Sequence, residues 1–100
     1  MCRMFAHQPQ SNYGSQTRSI RIHGHSTSIR LENTFWSTLE DIAAREGTSV
    51  GQFVNTLHDE VLDRHGSVRN LASLLRCSCL LYAAQSAEMK TSTPVLIAAE

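Results

Sequence analysis

The sequence predicts an α+β fold, mostly α: one N-terminal strand, two core helices and a third C-terminal helix, joined into an obligate two-fold dimer through an antiparallel β-ribbon. Three observations predict it. Thr27, Ile29 and Leu31 alternate with Ser26, Ser28 and Arg30, which gives a short strand one apolar and one polar face. Two stretches of helical periodicity follow, and Gly47-Thr48-Ser49 separates them.

The elements follow in chain order. Residues 1–17 are rich in Gln, Ser, Asn and Gly and lack apolar periodicity, so they are expected to form a flexible N-terminal arm. From Arg18 the chain alternates, with Ile20 and Ile22 on one face and Arg21 and His23 on the other. The apolar parity then changes from even at Ile22 to odd at Ile29, which a single unbroken strand cannot do. A bulge or a tight turn near Gly24-His25 must intervene, and both remain open. Asn33 is the expected N-cap of the first helix, whose stripe is Phe35, Leu39, Ile42 and Ala43, with Trp36 at its edge. Gly47 is placed to end that helix in the left-handed conformation. Thr48 or Ser49 caps the second helix, with the stripe Val50, Phe53, Val54, Leu57 and Val61 and an end at Arg64-His65-Gly66. A third helix is expected from about Ser67 to Ala87, which closes a domain of residues 18–87; residues 88–100 read as a flexible tail.

A lone strand leaves a row of backbone donors and acceptors unpaired. Two helices and one strand also bury little apolar surface for the residues they order. Pairing two copies across a two-fold axis answers both problems. The expected dimer core is Ile29, Leu31, Phe35, Leu39, Ile42, Val50, Phe53, Val54 and Leu57.

Zero net charge hides an asymmetry. Residues 1–31 hold Arg3, Arg18, Arg21 and Arg30 and no acid, a charge of +4; the remainder holds five basic residues and nine acids, 5 − 9 = −4. A basic half that carries the strand is a hint of nucleic-acid contact. No apolar run approaches the length needed to span a bilayer, and the first residues lack the apolar region of a secretory signal. Three cysteines without framework spacing favour a reducing, cytoplasmic setting.

Thr27-Ser28-Ile29-Arg30-Leu31-Glu32, the Phe35/Leu39/Ile42 helix, the Glu46-Gly47-Thr48-Ser49-Val50 turn and the Phe53/Val54/Leu57 helix together resemble the ribbon-helix-helix (Arc/MetJ-like) family of bacterial DNA-binding regulators. More narrowly, Gly24-His25, Thr27-Ser28, Leu31-Glu32 and Phe35-Trp36 are similar to a compact, unassigned subfamily. The resemblance covers about residues 18–81. It implies that Ser26, Ser28 and Arg30 face the major groove and contact bases. It implies that Thr48, Ser49 and Val50 open the helix whose amides hold a DNA phosphate. Arg18 and Arg21 are expected to add phosphate contacts. The chemistry agrees: a β-ribbon fits the major groove, Arg bridges guanine O6 and N7, and a helix N-terminus attracts anions.

The implied partners are double-stranded DNA and a second copy of the chain, with higher assembly on DNA as an extension. The function that follows is a sequence-specific transcriptional regulator, a repressor. The alternative is a protein-interaction module, such as an antitoxin-like or adaptor subunit that engages another protein through the leucine-rich third helix. No catalytic residue is expected, because no nucleophile–base set, phosphate loop or carboxylate pair stands in a recognisable motif. No cofactor and no metal are expected either. His23 and His25 are two apart on one strand without an evident third ligand. Cys77 and Cys79 point to different sides of a helix and read as core residues.

Overall fold

The computed structural model describes residues 2–90, with side-chain surroundings for residues 3–87. A short helix α1 (Cys2–Ala6) and a single 3₁₀ turn (Gln10–Asn12) lead into strand β1 (Ser15–Ile22). Strand β2 (His25–Glu32) follows, then helices α2 (Asn33–Arg45), α3 (Val50–His65) and α4 (Leu71–Lys90). The antiparallel ribbon is β1 against β2, so both of its strands come from one chain. This corrects the expectation of a single strand that needs a second copy to complete the ribbon.

The reason lies in two residues. His23 and Gly24 carry φ values of +52° and +84°. Positive φ at both central positions makes a type I′ turn, whose twist matches that of the flanking strands. The register runs from Ile22 opposite His25 to Ser15 opposite Glu32. A two-residue loop places each residue of β1 opposite a residue of the other parity on β2. Ile20 and Ile22 therefore share the core face with Ile29 and Leu31, and the change of parity in the sequence is the signature of the turn.

The N-terminal segment is tied to the body of the fold. Strand β1 begins at Ser15, inside the segment assigned to the arm. The Asn33 backbone N–H donates to Gly14 O at 2.8 Å, its side-chain amide donates to Ser11 O at 2.8 Å, and Thr34 Oγ1 donates to Asn12 O at 2.7 Å. Asn33 is thus the first helical residue rather than the cap; Glu32 takes the cap position without a side-chain bond. The Asn33 side chain holds the preceding segment instead.

Helix α2 ends as its glycine predicts. Gly47 has φ +72°, Thr48 N donates to Ala43 O at 2.9 Å and Gly47 N to Ala44 O at 3.1 Å, which is the Schellman pattern. Ser49 and Gln52 form a reciprocal capping box at the start of α3, and Gly66 (φ +79°) closes that helix. Helix α4 starts at Leu71, not near Ser67, because Asn70 Oδ1 accepts from Ser73 N at 3.1 Å and supplies the cap. The expected tail from residue 88 falls mostly outside the described residues; α4 itself reaches Lys90.

The core sits where the ribbon's apolar face meets the three long helices. Leu31, Leu39, Val54 and Leu75 are shut from solvent, and Ile20, Ile22, Ile29, Ile42 and Cys79 complete the cluster. Trp36 belongs inside it at 1 % exposure rather than at the edge, whereas Phe35 is half-buried. The indole fits there because Nε1–H donates to Gln16 O at 2.8 Å, so its polar atom is satisfied while its rings pack. Of the residues expected to form a core shared by two copies, Ile29, Leu31, Leu39, Ile42 and Val54 are buried within one chain. Phe35, Val50, Phe53 and Leu57 are half-buried against that cluster. Burial pushes the Cys79 thiol up to about 11, so it stays protonated and behaves as a small apolar side chain.

Helix α4 is fastened to the ribbon by Arg76, whose Nε lies 3.0 Å from Glu32 Oε1. The Glu32 carboxyl is held below the usual carboxylate range, first by its own backbone N–H and then by Arg76. A depressed folded value means that this stabilisation is complete above the ordinary carboxylate pKa and is lost as pH falls through the lowered one. Replacing Glu32 with Gln should therefore leave less acid sensitivity in the melting temperature, read by circular dichroism from neutral to acid pH. The turn makes a second demand. Gly24→Ala should cost about 1–2 kcal/mol, measured by urea unfolding, because the new Cβ meets open space but inherits a left-handed backbone.

Candidate nucleic-acid interface

The outward face of the ribbon is built by alternation. Thr17, Ser19 and Arg21 on β1 lie opposite Arg30, Ser28 and Ser26 on β2, and all six share the side away from the core. Both arginines are exposed, as are the flanking hydroxyls. The three positions expected on β2, Ser26, Ser28 and Arg30, are thus brought together on one surface. Thr17 and Ser19 join them, and sequence reading missed both. The signal was present: once the turn is set at His23-Gly24, the register names every residue on each face.

The polar side chains of this face are ordered by one another. Ser19 Oγ and Ser26 Oγ are 3.0 Å apart. Arg30 donates Nε–H to Ser15 Oγ at 3.0 Å, which leaves its terminal nitrogens for another acceptor. Arg21 donates one terminal N–H to Gly24 O at 3.1 Å and so lies along the turn.

Arg18 stands apart from these residues. It alternates onto the inner face, half-buried, with its guanidinium 4.6 Å from the Trp36 ring centroid and 3.0 Å from Glu40 Oε2. Its Nε also donates to Gln16 Oε1 at 2.9 Å. Cation–π stacking and an ion pair give it a structural position that fastens β1 to α2.

Thr48, Ser49 and Val50 lie at the start of α3, beside β1. A groove of about 450 Å³ separates the two, lined by Arg18, Ser19, Ile20 and Arg21 on one side and by Ser49, Val50, Gly51, Gln52 and Asn55 on the other. The capping box uses the Gln52 N–H, and the Gln52 side chain also accepts from Thr48 Oγ1. The first-turn amides of Val50 and Gly51 have no helical acceptor by construction, and both residues line this groove.

Asn55 is the third residue that sequence reading missed. Its Nδ2 donates to Arg21 O at 2.7 Å and to Gly51 O at 2.9 Å, while its Oδ1 accepts from His23 N at 3.2 Å. One side chain on α3 thus grips the turn of the ribbon from both sides. An Asn in the helix interior was the available signal, because Asn is a poor helix former unless its amide is used.

The ribbon-helix-helix domain family matches residues 15–83. The chain belongs to that family. The match spans both strands and most of α4, so the hairpin and the third long helix fall within the matched ribbon-helix-helix domain. This domain is typical of DNA-binding regulators and antitoxins, and the fold is a non-enzymatic, DNA-binding one. Among solved structures, an uncharacterized protein from Bordetella pertussis Tohama I is similar: it is 45 % identical with a TM-score of 0.84, over 88 % of this chain and 70 % of that one. No curated protein matches. Among the described residues of this ribbon-helix-helix chain, no helix is long and apolar enough to cross a membrane.

Proposed function

We propose that the chain is a sequence-specific transcriptional regulator, a cytoplasmic repressor, that lays the β1–β2 ribbon in the major groove of DNA. One observation carries the reading: from Thr17 to Arg30 the outward face of the ribbon presents Arg21 and Arg30 with only hydroxyl side chains among them, and the acid that follows at the end of β2, Glu32, is paired with Arg76. Arg30, Ser28 and Ser26 contact base edges, with the arginine bridging two acceptors of a guanine. Thr17 and Ser19 extend this contact along β1. Arg21 and the first turn of α3, Thr48, Ser49 and Val50, hold backbone phosphates on the flank. Arg18 takes no direct part, because Glu40 and Trp36 hold its guanidinium.

The regulator acts as a homodimer that reads two half-sites, with higher assembly where half-sites repeat. The hairpin supplies both strands of the ribbon from one chain, and the contact between copies is placed on α4. Exposed Leu80 and Leu81 on α4, more than 60 % accessible, are the apolar side chains that support this. They also favour the second reading, an antitoxin-like or adaptor subunit whose α4 engages another protein.

Two experiments test these statements. Arg30→Ala should lower affinity for the preferred duplex by about 1–3 kcal/mol and relax its specificity, whereas Arg21→Ala should weaken binding to every duplex and reduce its salt dependence. Fluorescence anisotropy across a salt series reads both. Absence of duplex binding at low salt would leave the adaptor reading in its place. Sedimentation equilibrium should give a dimer that Leu80→Glu with Leu81→Glu converts to a folded monomer; a monomeric wild-type chain would remove the dimer.

A further inference from the structure

The turn that returns β1 to β2 carries a side chain that the DNA reading does not use. His23 points from the turn to the middle of α3, where Nε2 lies 2.6 Å from Asp59 Oδ1. Its ring meets the His58 ring edge-on, with centroids 5.5 Å apart and planes at 67°. One donor atom from each of His23, His58 and Asp59 lies within 4.8 Å of the other two. Spacing along the chain offered no third ligand for a histidine pair; the hairpin brings His23 to two, both from α3.

We propose that His23, His58 and Asp59 form a binding site for a divalent transition-metal ion of the zinc class. The donor set is two imidazoles and one carboxylate, the N/O combination that borderline ions such as zinc take, with a further position left for solvent. The three donors need to adjust by only about an ångström to surround an ion at ordinary zinc–ligand distances of about 2.0–2.2 Å. His23 and Asp59 are half-exposed, so an ion has a path in.

Two further observations favour a built site over a chance surface pair. His58 Nδ1 is shut from solvent and has no hydrogen-bond partner among the described residues, an unmet need in a ring that sits beside two ligating groups. His23 is also preorganised. It is the one described residue other than glycine with positive φ, and Asn55 fixes the turn by bonding its N–H and the carbonyl of Arg21. A non-glycine residue held in the left-handed region is strain that the neighbourhood must support. Here the support is a helix side chain one turn before the other two ligands.

The ion would take the nitrogen and oxygen lone pairs that now face each other across the His23–Asp59 contact. The ion would join the ribbon's turn to α3 by bonds much stronger than the present His23–Asp59 contact. The site is independent of DNA, and its test needs none.

The test titrates zinc chloride into the untagged full chain in a non-chelating buffer, followed by calorimetry and by thermal melting. The expected result is one ion per chain and a melting temperature that rises with zinc. His23→Asn keeps a residue tolerant of the left-handed backbone. That variant and Asp59→Asn should each lower affinity by about tenfold or more, with circular dichroism unchanged. Cys77→Ser should bind as the wild type does. A cobalt(II) spectrum of the wild-type chain, which needs no variant, should show ligand-field bands without thiolate charge transfer. Absence of saturable uptake, thiolate bands, or unaltered affinity in both ligand variants would overturn the proposal.

Discussion

Two consecutive residues with left-handed backbone, His23 and Gly24, set the geometry on which the rest of the molecule depends. Their turn reverses the chain in the least possible length, fixes the register over eight residues of each strand, and so decides which side chains face the core. Ile20, Ile22, Ile29 and Leu31 become one apolar surface for α2, α3 and α4 to cover. Thr17, Ser19, Arg21, Ser26, Ser28 and Arg30 become the other surface. A slip of one residue would exchange the two sets, so the same constraint that closes the core also assembles the polar face.

Completion of the ribbon within the single chain follows from this. An isolated strand with two helices has too little apolar surface and an unpaired backbone, and a partner copy is one remedy. The chain contains the other: β1 pairs with β2, and α4 lays Leu75 and Cys79 into the core while Arg76 reaches Glu32 at the end of β2.

Much of this was legible from residues alone, for identifiable reasons. Helices α2 and α3 announce themselves because their stripes repeat with helical period and Gly47 stops the first. The outward set Ser26, Ser28 and Arg30 follows from period-two alternation. The break at Gly24 was equally visible, but a bulge and a reversal leave the same parity signature, and only long-range pairing separates them. Helical periodicity puts Trp36 at the edge because the stripe counts only apolar spacing, whereas its burial depends on a carbonyl 20 residues upstream. Asn55 and the His23–His58–Asp59 grouping were hidden for the same reason: each joins the turn to a helix far along the chain.

The placement of Trp36 has an optical consequence. It is the chain's single tryptophan, enclosed at the junction of β1 and α2, with Arg18 over its ring and its N–H held by Gln16. Detachment of the hairpin from the helices would wet the indole and strip away its cation. Intrinsic emission then reports a single event, the docking of the ribbon, with no dye and no competing fluorophore of its kind.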